Sequence, residues 1–267
     1  MKILICTIMR NRADMLLLWY QQLQQLVAHD IENEYFLSVY ENDSTDNSKQ
    51  LLAELDFSFF NDVTVQSENI NTDFFGSVID KQRVINLANA RNKCIYGSPH
   101  YAFMDKILFI EMGVSYDIKQ AINCIQNSTD YDILSGISVI TPLALEALNT
   151  TPALLVTIYD QWATRFSPNS FWEEKVIVKK DYYQMVWSTF NCFCVYNAEP
   201  FKAGITFGWK NARVQNLNFA HTQPQTGQPT AEQYFADCDT AVVCENFQHH
   251  HYSKIAIDTN FIVLHHS

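Results

Sequence analysis

Apolar runs alternate with amphipathic segments through the first half of the chain. The runs are short and rich in Ile, Val, Leu and Phe, which is typical of buried strands, and segments between them repeat apolar residues at helical spacing. The predicted strands are 1–7, 35–41, 63–66, 107–110 and 132–140. The predicted helices are 13–27, 48–54, 78–95 and 117–126. This alternation predicts an α/β fold with a mostly parallel central sheet.

The pattern weakens after residue 150. It predicts a helix at 157–166, a loop at 167–175, a strand at 186–196, a proline-containing loop at 221–231, a helix at 239–247, and short strands at 255–257 and 261–264. Asp239 is predicted to be the N-cap of the helix that it begins. The whole chain is expected to form one domain, since 267 residues suit one large domain.

Acidic and amide side chains cluster where the second strand gives way to the second helix. The residues from Glu41 to Ser48 read Glu-Asn-Asp-Ser-Thr-Asp-Asn-Ser. Ligands of open α/β sheets bind outside the carboxyl ends of the strands, so this turn is a candidate binding site. Ser, Thr and Asp are also preferred helix N-caps, and a capped turn without a ligand is the alternative.

Charge and composition limit the partners and the cellular environment that we expect for the protein. The net charge of -11 argues against nucleic acid as a partner, because phosphate backbones are bound by basic surfaces. An anionic nucleotide substrate would then need a divalent cation or a few well-placed Arg and Lys side chains. No apolar run is long enough to span a bilayer, and the N-terminal run is expected to be a strand rather than a signal peptide. The seven cysteines lack paired spacing and are expected to be reduced in a cytoplasmic protein.

Several segments, in order along the chain, resemble the fungal capsule-associated α-1,3-mannosyltransferase family, whose members are retaining GT-A glycosyltransferases that use GDP-mannose. These segments are the turn Glu41–Asp46, Ala90-Arg91-Asn92, Asp105–Ile110, Tyr159-Asp160-Gln161-Trp162, Phe190–Phe193 with Ala198–Phe201, and Asp239–Cys244. The resemblance implies the GT-A fold, with residues 1–140 as the nucleotide-sugar half and 141–267 as the acceptor half. It also implies that Glu41 contacts the nucleobase, and Asp43 of the same turn is assigned to donor binding.

The metal site departs from the family pattern. After the fifth strand the family has Asn-Asp, the second residue being the metal ligand, whereas this chain has Glu111-Met112-Gly113. The resemblance therefore implies Glu111 as a ligand for Mn²⁺ or Mg²⁺, with His265 as a second ligand near the C-terminus. Glu111 paired with Arg or Lys, and His265 or His266 in a solvated tail, are the alternatives.

Arginines and aspartates complete the candidate site. Arg10, Arg12 and Arg91 could contact the diphosphate of a donor, or they could form ordinary ion pairs. Asp239 is the candidate carboxylate near the reacting sugar, with Asp237 as the alternate. Such a carboxylate would accept the acceptor hydroxyl's proton in an inverting enzyme. In a retaining enzyme it would position the acceptor or stabilise the oxocarbenium-like transition state.

The leading hypothesis is metal-assisted transfer of a sugar, first of all mannose from GDP-mannose, to a glycan or glycolipid acceptor. A lipid-linked acceptor would place the protein at the cytoplasmic face of a membrane. The alternative is a non-catalytic sugar- or protein-binding module on a decayed version of the fold, as the altered Glu111 segment suggests. A nucleotidyltransferase is less well supported, because residues 7–13 lack the glycines of its phosphate-binding loop.

Overall fold

A nine-stranded sheet organises the protein in the computed structural model, which describes residues 1–76, 80–141, 143–151, 154–168, 170–171, 174–180, 182–214 and 233–266. Its strands are β1 (Lys2–Met9), β2 (Glu34–Asn42), β3 (Asp62–Glu68), β4 (Lys106–Ile110), β5 (Val114–Tyr116), β6 (Ile133–Val139), β9 (Tyr183–Met185), β10 (Phe193–Asn197) and β13 (Ile255–His265). Their order across the sheet is β3-β2-β1-β4-β10-β6-β13-β5, with β9 paired to β13.

The first four strands are parallel, while β10 runs antiparallel between β4 and β6. β6 and β13 are again parallel. Two small ribbons lie outside the sheet, formed by β7 (Leu155–Thr157) with β8 (Val176–Val178) and by β11 (Asn211–Val214) with β12 (Gln233–Ala236). The predicted α/β class with a mostly parallel sheet is confirmed.

Helices cover both faces of the sheet. They are α1 (Leu16–His29), α2 (Ser48–Glu54), α3 (Lys81–Tyr96), α4 (Ile118–Asn127), α5 (Leu145–Thr150), α6 (Glu199–Lys202) and α7 (Asp239–His249). Alternate residues of β1 point to opposite faces, so Ile3 and Ile5 pack with α1 and α4 while Leu4 and Cys6 pack with α3 and α7. The sheet is therefore buried on both sides, as its continuous apolar strands require.

The second half differs from its prediction in three elements. Residues 158–166 form no helix, because their backbone groups bond to other parts of the chain: the Tyr159 N–H donates to Ser138, and Arg165 bridges Ser188. Residues 186–192 of the predicted strand 186–196 belong to no strand, because β9 ends before them at Met185 and β10 begins after them at Phe193. The two C-terminal strands are one strand, β13, with an irregularity between Ile257 and Ile262.

Two further predictions concern the last helix and the loop before it. α7 begins at Asp239 as expected, but its N-cap is Cys238, and no side chain caps it. The Asp239 carboxylate is instead paired with an arginine, described below. The predicted loop 221–231 lies outside the described residues. No helix in the described part of the chain is long and apolar enough to cross a membrane.

Candidate active site

The carboxyl ends of three parallel strands open onto one cleft, here called the edge cleft. β1 leads into Arg10 and Arg12, β2 ends at Asn42, and Glu111 follows β4. The cleft has a volume of about 490 Å³. It is lined by Ile8, Met9, Arg10, Arg12, Asn42, Thr72, Asp73, Phe74, Phe75, Gly76, Arg83, Asn86, Leu87, Ala90, Glu111, Met112, Tyr159, His265 and His266. Four of the predicted site residues, Arg10, Arg12, Glu111 and His265, thus share one cavity.

One face of α3 forms a wall of the cleft. Arg83, Asn86, Leu87 and Ala90 recur at spacings of three and four, which place them on one side of a helix. The helix is fixed at its start by Asp80, whose Oδ1 accepts the N–H groups of residues 82 and 83 at 2.7 and 3.1 Å. The cap and the packing of α3 against the sheet therefore set the position of this wall.

Arg91, one residue further along α3, lies behind the cleft between two carboxylates. Its Nη1 donates to Asp239 Oδ2 at 2.7 Å and its Nη2 donates to Glu111 Oε1 at 3.2 Å. Burial by itself lowers the pKa of Arg91, but Asp239 and Glu111 outweigh it and raise the pKa overall. Burial likewise raises the pKa of Asp239, and Arg91 opposes that shift. Arg91 therefore remains charged and links α7 to the end of β4.

Glu111 also belongs to a second cluster with Cys192 and His265. One ligand atom of each lies within 4.8 Å of the others. The backbone brings them together, because the Glu111 N–H donates to the Cys192 carbonyl at 2.9 Å. His265, from the end of β13, packs its ring against Tyr159 with 4.3 Å between ring centroids and 35° between the ring planes. Burial lowers the pKa of His265, and Glu111 opposes this.

This cluster fits a divalent cation. The His265 Nδ1 atom is buried and has no hydrogen-bond partner among the described residues, although buried polar atoms normally have one. Carboxylate, imidazole and thiol groups are all ligands of divalent metals in proteins. The neighbouring His266 is already engaged, because its Nε2 hydrogen-bonds the Ser115 hydroxyl at 2.9 Å. The chemistry of the donor set and the unpartnered nitrogen thus favour His265 as the histidine ligand.

Arg10 and Asp43 hold the segment 69–76, of which residues 72–76 line the cleft. Arg10 donates to the Thr72 carbonyl at 2.7 Å and to the Asp73 carbonyl at 3.1 Å. Asp43 accepts the backbone N–H groups of Asn71 and Thr72 at 2.8 and 3.0 Å. Burial raises the pKa of Asp43, but the hydrogen bonds from Thr72 and its neighbours outweigh it and lower the pKa. In this structure both side chains position the segment.

Glu41 is directed into its own turn. It is fully buried (0% exposed), accepts the Ser44 N–H at 2.8 Å and the Ser67 hydroxyl, and lies 3.8 Å from the Lys49 amine. It sits at the same sheet edge as Glu111, separated from β4 by β1. Its side chain does not line the edge cleft, whereas that of the next residue, Asn42, does.

Asp237 lies apart from Glu111, in a buried ion pair with Arg165. The Asp237 Oδ2 accepts from Arg165 Nη1 at 3.1 Å, and the Cys238 N–H donates to its Oδ1 at 2.8 Å. Of the two aspartates considered for the reacting centre, Asp239 is the one that the structure connects to the cleft, through Arg91 and Glu111.

Sequence reasoning missed Cys192 and Asp160. Metal motifs are recognised in a sequence by ligands at short, regular spacing. Glu111, Cys192 and His265 lie far apart in the sequence, at the ends of β4, β10 and β13, so that signal was absent. Burial raises the pKa of Asp160 to about 6, and Glu111 adds to the increase. Asp160 lies in the segment Tyr159-Asp160-Gln161-Trp162 that carried part of the resemblance, which was the available indication.

Two solved structures are similar to this chain. S. aureus TarS 1-349 in complex with UDP-GlcNAc superposes with a TM-score of 0.51 at 10% identity, over 100% of this chain and 59% of the TarS chain. S. aureus TarS 1-349 in complex with UDP gives a TM-score of 0.47 at 12% identity, over 99% of this chain and 60% of the other. The chain thus spans less than two thirds of these structures. At such identity the first likeness establishes the fold alone, which is of the GT-A type.

The sequence comparisons define the family. No curated protein matches the chain. The family described as "Cryptococcal mannosyltransferase 1" matches it over residues 2–239, most of its 267 residues. The chain therefore belongs to the cryptococcal mannosyltransferase 1 family, a family of glycosyltransferases.

Proposed function

We propose that the edge cleft binds a nucleotide-sugar donor and transfers its sugar to a hydroxyl of a glycan or glycolipid acceptor with the help of Mn²⁺ or Mg²⁺. Mannose from GDP-mannose is the first candidate, given the family. The observation that carries the proposal is the meeting of Glu111 and His265 at the cleft, with the His265 Nδ1 buried and unpartnered within the described residues. The TarS structure named for UDP-GlcNAc supports a nucleotide sugar as the class of donor.

Glu111 and His265 would hold the cation. A divalent cation bound there would act as a Lewis acid that stabilises negative charge on the departing diphosphate. Arg91 donates a hydrogen bond to Glu111 Oε1 and so fixes the position of the carboxylate that would bind the cation. The pair Arg91–Asp239 is buried, so we propose that Asp239 acts by positioning Arg91 and Glu111.

Arg12 and Arg83 are the side chains best placed for the diphosphate. Both line the cleft, and neither forms a salt bridge to any described carboxylate. A protein with a net charge of -11 repels an anion over long range, so local cations and a metal must offset that repulsion. Asn42, Phe74 and Phe75 line the same cavity and offer polar and aromatic contacts to the nucleoside.

The remaining assignments rest on the family resemblance. We propose that residues 1–140 carry the donor site and 141–267 the acceptor site, with retention of configuration at the transferred sugar. Glu41 and Asp43 are proposed to act in donor binding indirectly, by shaping the turn next to Asn42 and the segment 69–76. A location in the cytoplasm, with membrane contact if the acceptor is lipid-linked, belongs to the same proposal.

Thermal unfolding with nucleotides and metals tests the proposal. GDP with Mn²⁺ is expected to raise the melting temperature, because a ligand at 100 times its Kd stabilises the folded state by about 2.7 kcal/mol. GDP-mannose compared with UDP-GlcNAc identifies the donor. The proposal fails if no nucleoside diphosphate or nucleotide sugar shifts the melting temperature with any divalent metal.

Matched variants test whether the rise in melting temperature comes from binding in the edge cleft. Glu111→Gln should abolish the metal-dependent part of the shift. Glu68→Gln is the control, since Glu68 also ends a strand and pairs with a basic side chain but does not line the cleft. Glycan binding without donor turnover would instead favour a non-catalytic binding module. The motive for this alternative is Met112, an apolar residue next to Glu111 where the family has its metal-binding acid.

A further inference from the structure

Cys192 stands out among the seven cysteines by its surroundings. It is 2% exposed, and its thiol shares a cluster with the Glu111 carboxylate and the His265 imidazole, all within 4.8 Å. The other buried cysteines belong to no such cluster within the described residues. A thiol that serves only to fill a core needs neither a carboxylate nor an imidazole beside it.

The backbone at Cys192 is one that favours glycine. Asn191 and Cys192 have φ of 52° and 62°, in the left-handed region that non-glycine residues rarely adopt. The turn is set by Asn191, whose side chain accepts from the Ser138 hydroxyl at 2.8 Å and donates to the Thr189 hydroxyl at 2.8 Å. Nothing in that network needs a side chain at 192. A β-carbon is therefore held in an unfavourable conformation, an arrangement that is concentrated at functional sites.

We propose that Cys192 is a third protein ligand of the cation held by Glu111 and His265, and that its sulfur makes the site prefer Zn²⁺ or Co²⁺ over Mg²⁺. Sulfur, nitrogen and oxygen donors together match borderline metals, whereas Mg²⁺ is bound by oxygen. Three protein ligands leave a coordination position open for a substrate oxygen, as in catalytic zinc sites. The inference deepens the proposed function and rests on the Glu111–His265 metal site within it.

Cobalt spectroscopy without any donor tests the thiol directly. Metal-free protein titrated with Co²⁺ is expected to show a sulfur-to-cobalt charge-transfer band. Cys192→Ser and Cys192→Gly should lose the band and bind Zn²⁺ more than about tenfold more weakly, since even outer-shell changes cost 10–100-fold. Cys124→Ala, a buried cysteine of α4 outside the cluster, should keep both.

Cys192→Gly also controls for folding. Because glycine adopts the left-handed backbone without strain, this variant is expected to melt, free of metal, at or above the temperature of Cys192→Ser. A wild-type spectrum without a sulfur band, or a band that survives both substitutions, overturns the inference.

The two proposals can fail separately. A nucleotide-dependent melting shift with Mn²⁺ but no sulfur band in Co²⁺ protein would keep the proposed function and overturn the role of Cys192. A sulfur band without any nucleotide-dependent shift would keep the thiol ligand and count against glycosyl transfer.

Discussion

Arg91 shows how a single residue joins the fold to the site. It is only 4% exposed, and its guanidinium lies between Asp239 and Glu111 with its carbon 4.8 Å from the centre of the Phe190 ring. Two carboxylates near the protein interior are tolerable only while a cation is beside them. In this structure Arg91 forms ion pairs with Asp239 and with Glu111, the proposed metal ligand.

Replacing Arg91 with an uncharged residue should destabilise the protein. Arg91→Met is expected to lower the free energy of unfolding by about 3–5 kcal/mol, because it leaves the buried Asp239 carboxylate uncompensated. Urea denaturation measures the change. Lys93→Met is the control on the same helix, since the Lys93–Glu68 pair is exposed and solvent-screened and should contribute much less to stability. Equal losses in the two variants would contradict this account.

At the scale of an element, strand β4 also contains a buried basic side chain. Its first residue, Lys106, is buried, and its amine donates to the Ser128 carbonyl at 2.6 Å. Burial lowers the pKa of Lys106 from 10.5 to about 8, and Asp132 and Asp105 oppose the shift only in part. The lysine thus ties the central strand to the turn after α4, and burial disfavours its charged form.

This shift predicts a pH dependence of stability. Between about pH 8 and 10.5 the unfolded chain holds a proton on Lys106 that the folded chain has lost, so stability from this group rises with pH. Wild type should therefore gain stability relative to Lys106→Met as the pH rises through that window, by up to about 3 kcal/mol. Urea unfolding of both proteins in matched buffers from pH 7.5 to 10 measures the difference. A flat or falling difference would refute the prediction.

At the scale of the whole molecule, part of the lining of the edge cleft comes from residues 69–76, which belong to no strand or helix. Within the segment 69–76, residues 72–76 line the cleft, and Phe74 is 64% exposed. Arg10 fastens the segment through hydrogen bonds to Thr72 and Asp73, and its guanidinium carbon lies 5.4 Å from the centre of the Phe74 ring. Segments with few buried contacts open more readily than the core.

Limited proteolysis tests this fastening. Arg10→Met should increase chymotrypsin cleavage at Phe74 or Phe75 by roughly tenfold, which corresponds to ~1.4 kcal/mol less opening free energy. Arg12→Met is the control, because Arg12 lines the same cleft without a side-chain hydrogen bond to residues 69–76. Similar cleavage rates in wild type and Arg10→Met would show that other contacts hold the segment.

Local patterns accounted for most of the first half of the fold. β1, β2, α2 and α4 fall close to their predicted bounds, because apolar runs and helical spacing report burial directly. The second half escaped prediction where long-range bonds replace local ones. Asn191 lies in the predicted strand 186–196 but precedes β10, because its side chain bonds to Ser138 of β6 and its N–H donates to Asp160 at 3.1 Å. These long-range bonds leave no local periodicity in the sequence.

The sequence alone determined the α/β class, the resemblance that the family match confirms, and the placement of Glu111 at the end of a central strand. Those properties follow from residues close together in the chain. Only the tertiary structure decided that Asp239 pairs with Arg91, that Glu41 is buried in its own turn, and that Cys192 meets Glu111 and His265. Those outcomes depend on strand order, because β10 and β13 enter the sheet beside elements that are far from them in sequence.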